Sequence, residues 1–95
     1  MNLQEQIELG ISSSSDMVET VSYLIWGAVH TTTRAYKKVT VNISLETKKV
    51  FIKITLKWPF KGKKFKKFQD AWLRIAEERA KEFVPEGFKA VYYYG

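Results

Sequence analysis

The chain has 95 residues, 45% of them hydrophobic and 15% aromatic, and it contains no cysteine. This size and composition predict one folded domain with a core of its own, and they exclude an intrinsically disordered chain, disulfide bridges and cysteine-type zinc sites. The net charge of +6 is concentrated in residues 34–67, where twelve lysines and arginines accompany Glu46 alone, and this one-sided charge favours attraction to a polyanion.

The sequence contains no segment that predicts secretion or a membrane span. Its first residues lack the positive charges and the apolar run of a signal peptide. The longest apolar patch, residues 21–29, is interrupted by Ser22 and Gly27 and falls short of the ~20 residues that a span needs. We therefore expect a cytoplasmic protein, which also agrees with the absence of cysteine.

Residues 1–14 are predicted to form an N-terminal arm in front of a single α+β domain, residues 15–95. Asn2–Leu9 has the pattern of a short helix, because Asn2 and Glu5 have the spacing of a capping box. The serine run that follows, residues 12–15, is typical of a flexible connection. The arm either docks on the domain or on a neighbour, or it stays mobile.

A first helix is predicted from about Asp16 to Thr31, with two distinct faces. At about 100° per residue, one broad face is apolar and is expected to face the core. It contains Met17, Val18, Val21, Leu24, Ile25, Ala28 and Val29. The opposite stripe contains Glu19, Tyr23, Trp26 and His30. This aromatic stripe is covered by the arm or by the C-terminal tyrosines, or it forms a homo-oligomer contact, or it stacks on a ligand.

Two strands with alternating apolar residues follow, Val39–Glu46 and Val50–Trp58. A two-residue tip at Thr47 and Lys48 would pair apolar residues with apolar residues along the whole hairpin. The predicted pairs are Leu45 with Val50, Ile43 with Ile52, Val41 with Ile54, and Val39 with Leu56. A longer tip that includes Lys49 is the alternative, because Thr-Lys is not a favoured two-residue turn.

A second helix is predicted from about Phe65 to Phe83, followed by a last strand, Phe88–Tyr94. The apolar side of the helix contains Phe65, Phe68, Trp72, Ile75, Ala76, Ala80 and Phe83. The fold predicted from these elements is an α-β-β-α-β two-layer sandwich. It has a three-stranded, mainly antiparallel sheet with both helices packed on one face, and the last strand is expected beside the first.

This order of elements, from Asp16 to Tyr94, resembles that of the type II KH-like modules of ribosome-associated factors and of the ring-building modules of secretion systems. A KH module would also need a GXXG loop between two helices. The segment Lys61-Gly62-Lys63-Lys64 supplies one glycine, ahead of the helix. The resemblance therefore implies an arrangement of elements and not the clamping of RNA by a KH loop.

The junction between the second strand and the second helix is the strongest functional signal. We define the lysine cluster as Lys53, Lys57, Lys61, Lys63, Lys64, Lys66 and Lys67. Lysines at the positive end of a helix dipole are unfavourably placed, whereas a bound phosphate would be stabilised by the amides, the dipole and the lysines together. The cluster predicts binding of nucleic acid, DNA or RNA, or of another polyanion, without base-specific readout. Phe60 is expected to be free to stack, because Trp58, Phe65 and Phe68 follow the core periodicity. Alternatively, the lysines are only a solvated rim.

No catalytic motif supports an enzyme. The chain has no GxSxG, HExxH, P-loop or glycine-rich dinucleotide motif, and its single histidine has no partner at a metal-binding spacing. We predict no catalytic residue, metal, cofactor or small-molecule substrate. The competing hypothesis is a structural protein that forms a homo-oligomer, or docks a protein partner, through Glu19, Tyr23, Trp26 and His30.

Overall fold

The computed structural model describes the backbone of residues 14–95 and the side chains of residues 16–95. Its elements are α1 (Ser14–His30), β1 (Tyr36–Ser44), β2 (Lys49–Leu56), α2 (Lys66–Ala80) and β3 (Lys89–Tyr94). Short 3-10 turns, Lys63–Phe65 and Lys81–Phe83, flank α2. The predicted α-β-β-α-β order is confirmed. The predicted arm and its short helix at Asn2–Leu9 lie outside the described residues, apart from Ser14, which begins α1.

The three strands form one sheet in the order β1-β2-β3. β1 is antiparallel to β2, whereas β3 runs parallel to β2 and pairs Ile52 with Tyr92 and Ile54 with Tyr94. The expected position of the last strand beside the first was therefore wrong. α2 returns the chain to the starting end of β2, so the next strand runs parallel to β2, and it pairs at the free edge of β2, as consecutive strands usually do. This order puts the strongly apolar β2 in the centre of the sheet.

The hairpin between β1 and β2 has a four-residue loop, Leu45–Lys48, and pairs Ile43 with Val50 and Val41 with Ile52. The predicted two-residue tip and its pairs were wrong by two residues. A shift of two keeps every side chain on its face, so the alternating pattern cannot detect it. The longer loop is held by Ser44, whose Oγ accepts bonds from the amide and the hydroxyl of Thr47 at 3.3 and 2.8 Å.

The core lies between the helices and one face of the sheet. Its largest fully buried side chains are Ile25, Ile52, Ile54, Val21, Val29 and Val50. The first helix therefore buries the face that was predicted. In α2 the buried residues are Ala76 and Ala80. Both helices and the apolar positions of the strands belong to one cluster, so the two helices share one face of the sheet.

Two aromatic residues predicted for the core are exposed instead. Trp58 is 85% exposed, because β2 ends at Leu56 and the chain then turns. Phe68 is 57% exposed. At 3.6 residues per turn, Phe68 lies about 100° around α2 from the midpoint of Ala76 and Ala80, at the margin of the face that α1 and the sheet cover. Ile75, on the same margin, is also exposed.

Because β2 is the central strand, an isoleucine-to-alanine substitution should destabilise the fold more in β2 than in the edge strand β1. Ile52→Ala, at a fully buried position of the central strand, should lower the free energy of unfolding by about 3 to 4 kcal/mol. Ile43→Ala removes the same atoms from a partly exposed position of the edge strand β1 and should cost about half as much. Urea denaturation of both variants measures the difference, and equal losses would contradict the central position of β2.

Candidate nucleic-acid interface

Residues 57–65, which we call the basic loop, connect β2 to α2 through consecutive tight turns. The amide of Phe60 donates to the Lys57 carbonyl at 2.8 Å, and the amide of Gly62 donates to the Pro59 carbonyl at 3.3 Å. The amide of Phe65 then donates to the Gly62 carbonyl at 3.1 Å. The peptide bond between Trp58 and Pro59 is cis. The basic loop is thus bonded within itself along its length.

Gln69 holds the basic loop against α2. Its side-chain amide donates to the carbonyl of Phe60 at 2.7 Å and to that of Gly62 at 3.1 Å. Its own main-chain carbonyl accepts a bond from the Tyr94 hydroxyl at 2.5 Å. Because that bond uses the Tyr94 proton, the Tyr36 hydroxyl, 3.2 Å away, donates to Tyr94. Burial raises the pKa of both phenols, so this chain of bonds stays neutral.

An aromatic cluster joins the basic loop to α2. It consists of Phe60, Phe65, Phe68 and Trp72. The Phe60 ring packs edge-on against Phe65 at 5.2 Å and against Trp72 at 6.1 Å between ring centroids, and it contacts the core. Phe68 lies 6.0 Å from Trp72 on the outer side of the cluster. Phe60, which was expected to be free, is therefore partly buried. Trp58 and Phe68 present more ring surface to solvent than Phe60 does.

All seven residues of the lysine cluster are exposed. Lys66 pairs with Asp70 at 3.4 Å, and the ammonium of Lys64 lies 5.4 Å from the centre of the Phe65 ring. In the part of the chain that the structure describes, no carboxylate lies within 4.0 Å of the other six ammonium groups. Six of the seven positive charges therefore have no acidic partner within ion-pair distance.

The structure changes the expected role of the backbone at the start of α2. The helix is preceded by the 3-10 turn, in which Phe65 donates to Gly62 and Lys66 donates to the Lys63 carbonyl. The first turn of α2 contains no acid, and no side chain caps it. These two amides are therefore not available to an anion, whereas the exposed ammonium groups of the lysines are.

The structure places Lys53 apart from the rest of the cluster. The other six lysines lie on the basic loop and the first two residues of α2. Lys53 belongs to β2, on the face of the sheet opposite the helices, where its side chain lies across Gly95. The cluster is therefore divided between the outer face of the sheet and the start of α2.

The predicted aromatic stripe of α1 is present on its outer face. Tyr23, Trp26 and His30 form a ladder of stacked rings with centroid distances of 6.2 and 4.7 Å. Tyr23 is 71% exposed, and Glu19, one turn earlier, is also exposed. Tyr23 of this stripe borders an open groove of about 970 Å³ between α1 and the end of α2, where Phe83 forms part of the wall. The C-terminal tyrosines, which were one expected cover for this stripe, belong to β3.

No protein-family model, curated protein sequence or solved structure matches this chain. Among the described residues, no group of three or more acidic or histidine side chains is arranged to hold a metal ion. Neither of the described helices combines the length and the apolar character that crossing a membrane requires.

Tyr92, on the core face of β3, has a buried hydroxyl without a hydrogen-bond partner within residues 16–95. Burial, and next the charge of Glu77, raises the pKa of Tyr92 to about 12. An unfolded tyrosine ionises near pH 10. The folded state therefore keeps its proton to higher pH than the unfolded state, and the free energy of unfolding must fall between pH 10 and pH 12.

Tyr92→Phe should remove this part of the alkaline destabilisation. At pH 7 the variant should be as stable as the parent, or more stable by up to about 1 kcal/mol, because an unsatisfied hydroxyl is lost. Above pH 10 its stability should decline less steeply. Urea denaturation at pH 7, 10 and 11 measures both effects, with the exposed Tyr93→Phe as control. An identical decline in Tyr92→Phe and the parent would contradict the prediction.

Proposed function

We propose that this protein is a non-enzymatic module that binds the phosphate backbone of nucleic acid through the lysine cluster. The observation that carries the proposal is a set of exposed lysines, all but Lys66 without an acidic partner among the described residues, around a loop that is fixed by hydrogen bonds. Backbone contacts of this kind do not distinguish base sequences. The proposed location is the cytoplasm, as expected from the sequence.

The electrostatic argument rests on the concentration of like charge. Six lysines lie within residues 57–67, and Asp70 compensates Lys66 alone. Each cation near the positive end of a helix costs about 0.3 to 1 kcal/mol at low salt. A polyanion relieves this repulsion and releases its own counterions when it binds, which supplies most of the free energy of non-specific binding.

The exposed rings add a second contribution to the free energy of binding, through stacking with bases. Trp58 adjoins Lys57 in the basic loop, and Phe68 follows Lys67 in α2. Stacking of a base on such a ring contributes about 1 to 3 kcal/mol. Phe68 is supported by Trp72 and Phe65, so little conformational freedom is lost when a base stacks on it.

Reversal of charge in the cluster should abolish binding. In 50 mM salt, the triple variant Lys63→Glu, Lys64→Glu and Lys67→Glu should bind a mixed-sequence oligonucleotide roughly 100-fold more weakly, or not at all. For the parent protein, log K should fall linearly with log[salt], with a slope of about −3 to −5. Fluorescence polarisation with DNA and RNA oligonucleotides measures both quantities.

The matched control reverses three charges elsewhere, in Lys48→Glu, Arg74→Glu and Lys81→Glu. Its net charge equals that of the test variant, so the two differ only in the position of the change. Circular dichroism verifies that both variants fold. Equal losses of affinity would show that net charge and not the cluster determines binding, and a parent that binds neither DNA nor RNA at low salt would refute the proposal.

Self-association through α1 is a second proposed function. The observation that favours it is the ladder of Tyr23, Trp26 and His30 beside an open groove. Aromatic residues that are exposed together are enriched at protein interfaces, where they bury large areas at low entropic cost.

If this surface joins copies of the chain, the parent should form a stable oligomer that Tyr23→Ala or Trp26→Ala dissociates. Trp58→Ala, which removes an exposed tryptophan outside the stripe, should leave the oligomer intact. Light scattering coupled to size exclusion gives the mass of each variant. A monomeric parent at concentrations near 0.1 mM, about where weak association becomes visible, would rule out self-association.

A further inference from the structure

The face of the sheet opposite the helices is covered by no described element. It is formed by the outward positions of the three strands, which alternate with the core positions. Phe51 and Val91 are partly exposed on this face, and Tyr93 is 41% exposed. We call this surface the open sheet face. Apolar and aromatic side chains at its centre are unusual for a surface that faces only water.

The pairing of β3 with β2 brings two rings of this face close together. Phe51 is paired with Val91, and the next outward pair is Lys53 with Tyr93. Phe51 and Tyr93 are thus one strand apart and two residues apart along the strand. From the usual strand spacing and rise, their Cα atoms are roughly 8 Å from each other. Phe51 and Tyr93 therefore occupy diagonal positions on one surface, and Lys53 lies beside both of them in the register.

The charged side chains that the three strands contribute to the open sheet face are all positive. None of the residues of β1, β2 or β3 is acidic. Lys49 lies directly opposite Lys89 in the register, and both are exposed. Like charges at opposed positions of a sheet are destabilising when nothing lies between them. The face is therefore complementary to an anion.

The central strand β2 leads from the open sheet face into the basic loop. Along β2 the outward residues are Lys49, Phe51, Lys53 and Thr55, and the chain then passes through Lys57 to the exposed Trp58. Along this path three lysines are interspersed with two rings and Thr55. Proteins that hold unpaired nucleic acid combine a basic track for the backbone with rings on which the bases stack. A duplex keeps its bases stacked inside the helix, so its bases cannot use these rings.

We infer that the open sheet face binds single-stranded nucleic acid, with bases stacked on Phe51 and Tyr93 and phosphates on Lys49, Lys53 and Lys89. This inference rests on the proposed function and specifies its ligand as the single-stranded form. The strand continues from the sheet over the basic loop, where Trp58 provides a further ring.

The test compares three probes of the same mixed sequence at 50 mM salt: a 12-nucleotide single-stranded DNA, the corresponding RNA, and the DNA duplex. The parent should bind both single strands more tightly than the duplex. Phe51→Thr and Tyr93→Thr, which keep a residue that favours strands, should each weaken single-strand binding roughly tenfold. Their affinity for the duplex and their salt slope should not change, whereas Tyr93→Phe should bind like the parent.

Amide chemical shifts of the parent provide a measurement that does not depend on the folding of a variant. Addition of the single-stranded DNA should shift the amides of Phe51, Val91 and Tyr93. Shifts restricted to the basic loop, or Thr variants that fold and bind the single strand like the parent, would overturn the inference and leave the lysine cluster as the site. Absence of binding to all three probes would refute the proposed function itself.

Discussion

The hydrogen bonds of Gln69 determine where the basic loop lies. Its side chain bonds two carbonyls of that loop, and its main-chain carbonyl is bonded by Tyr94 at the end of β3, which Tyr36 of β1 bonds in turn. The loop is therefore fixed to α2 and to both edge strands of the sheet. Lysines on a loop fixed in this way need no large rearrangement to meet an anion, so little of the binding free energy is lost to ordering.

Apolar packing beneath the basic loop explains how the fold tolerates the concentrated positive charge. The lysines of the basic loop repel each other, and Asp70 compensates Lys66 alone. The loop keeps its position because Phe60 packs against Phe65 and Trp72 and against the core. Apolar contacts of this kind do not depend on salt, whereas the repulsion does. The folded chain can thus present a concentrated positive charge, of which Asp70 compensates only that of Lys66.

The sequence predicted which face of an element is buried better than it predicted which elements lie next to each other. Periodicity reports burial, so the core face of α1 was predictable, as were the apolar faces of the two hairpin strands. It does not report register, because a shift of two residues in the hairpin preserves both faces. The exposure of Phe68 depends on how much of α2 the other elements cover, which is a tertiary property. The tendency of consecutive strands to be neighbours favours a place for β3 beside β2 but does not exclude one beside β1.

The position of β3 also decides whether the outward residues of the sheet act together. Beside β1, Tyr93 would lie two strands from β2, about 10 Å from Phe51 and Lys53 across the sheet. Beside β2, Tyr93 is the register partner of Lys53 and the diagonal neighbour of Phe51. Phe51 on its own is a single exposed ring of a kind common on protein surfaces. Beside Tyr93 and the lysines of β2 and β3, it becomes part of one larger surface. The order of the strands, more than the composition of any one of them, therefore creates the proposed binding face.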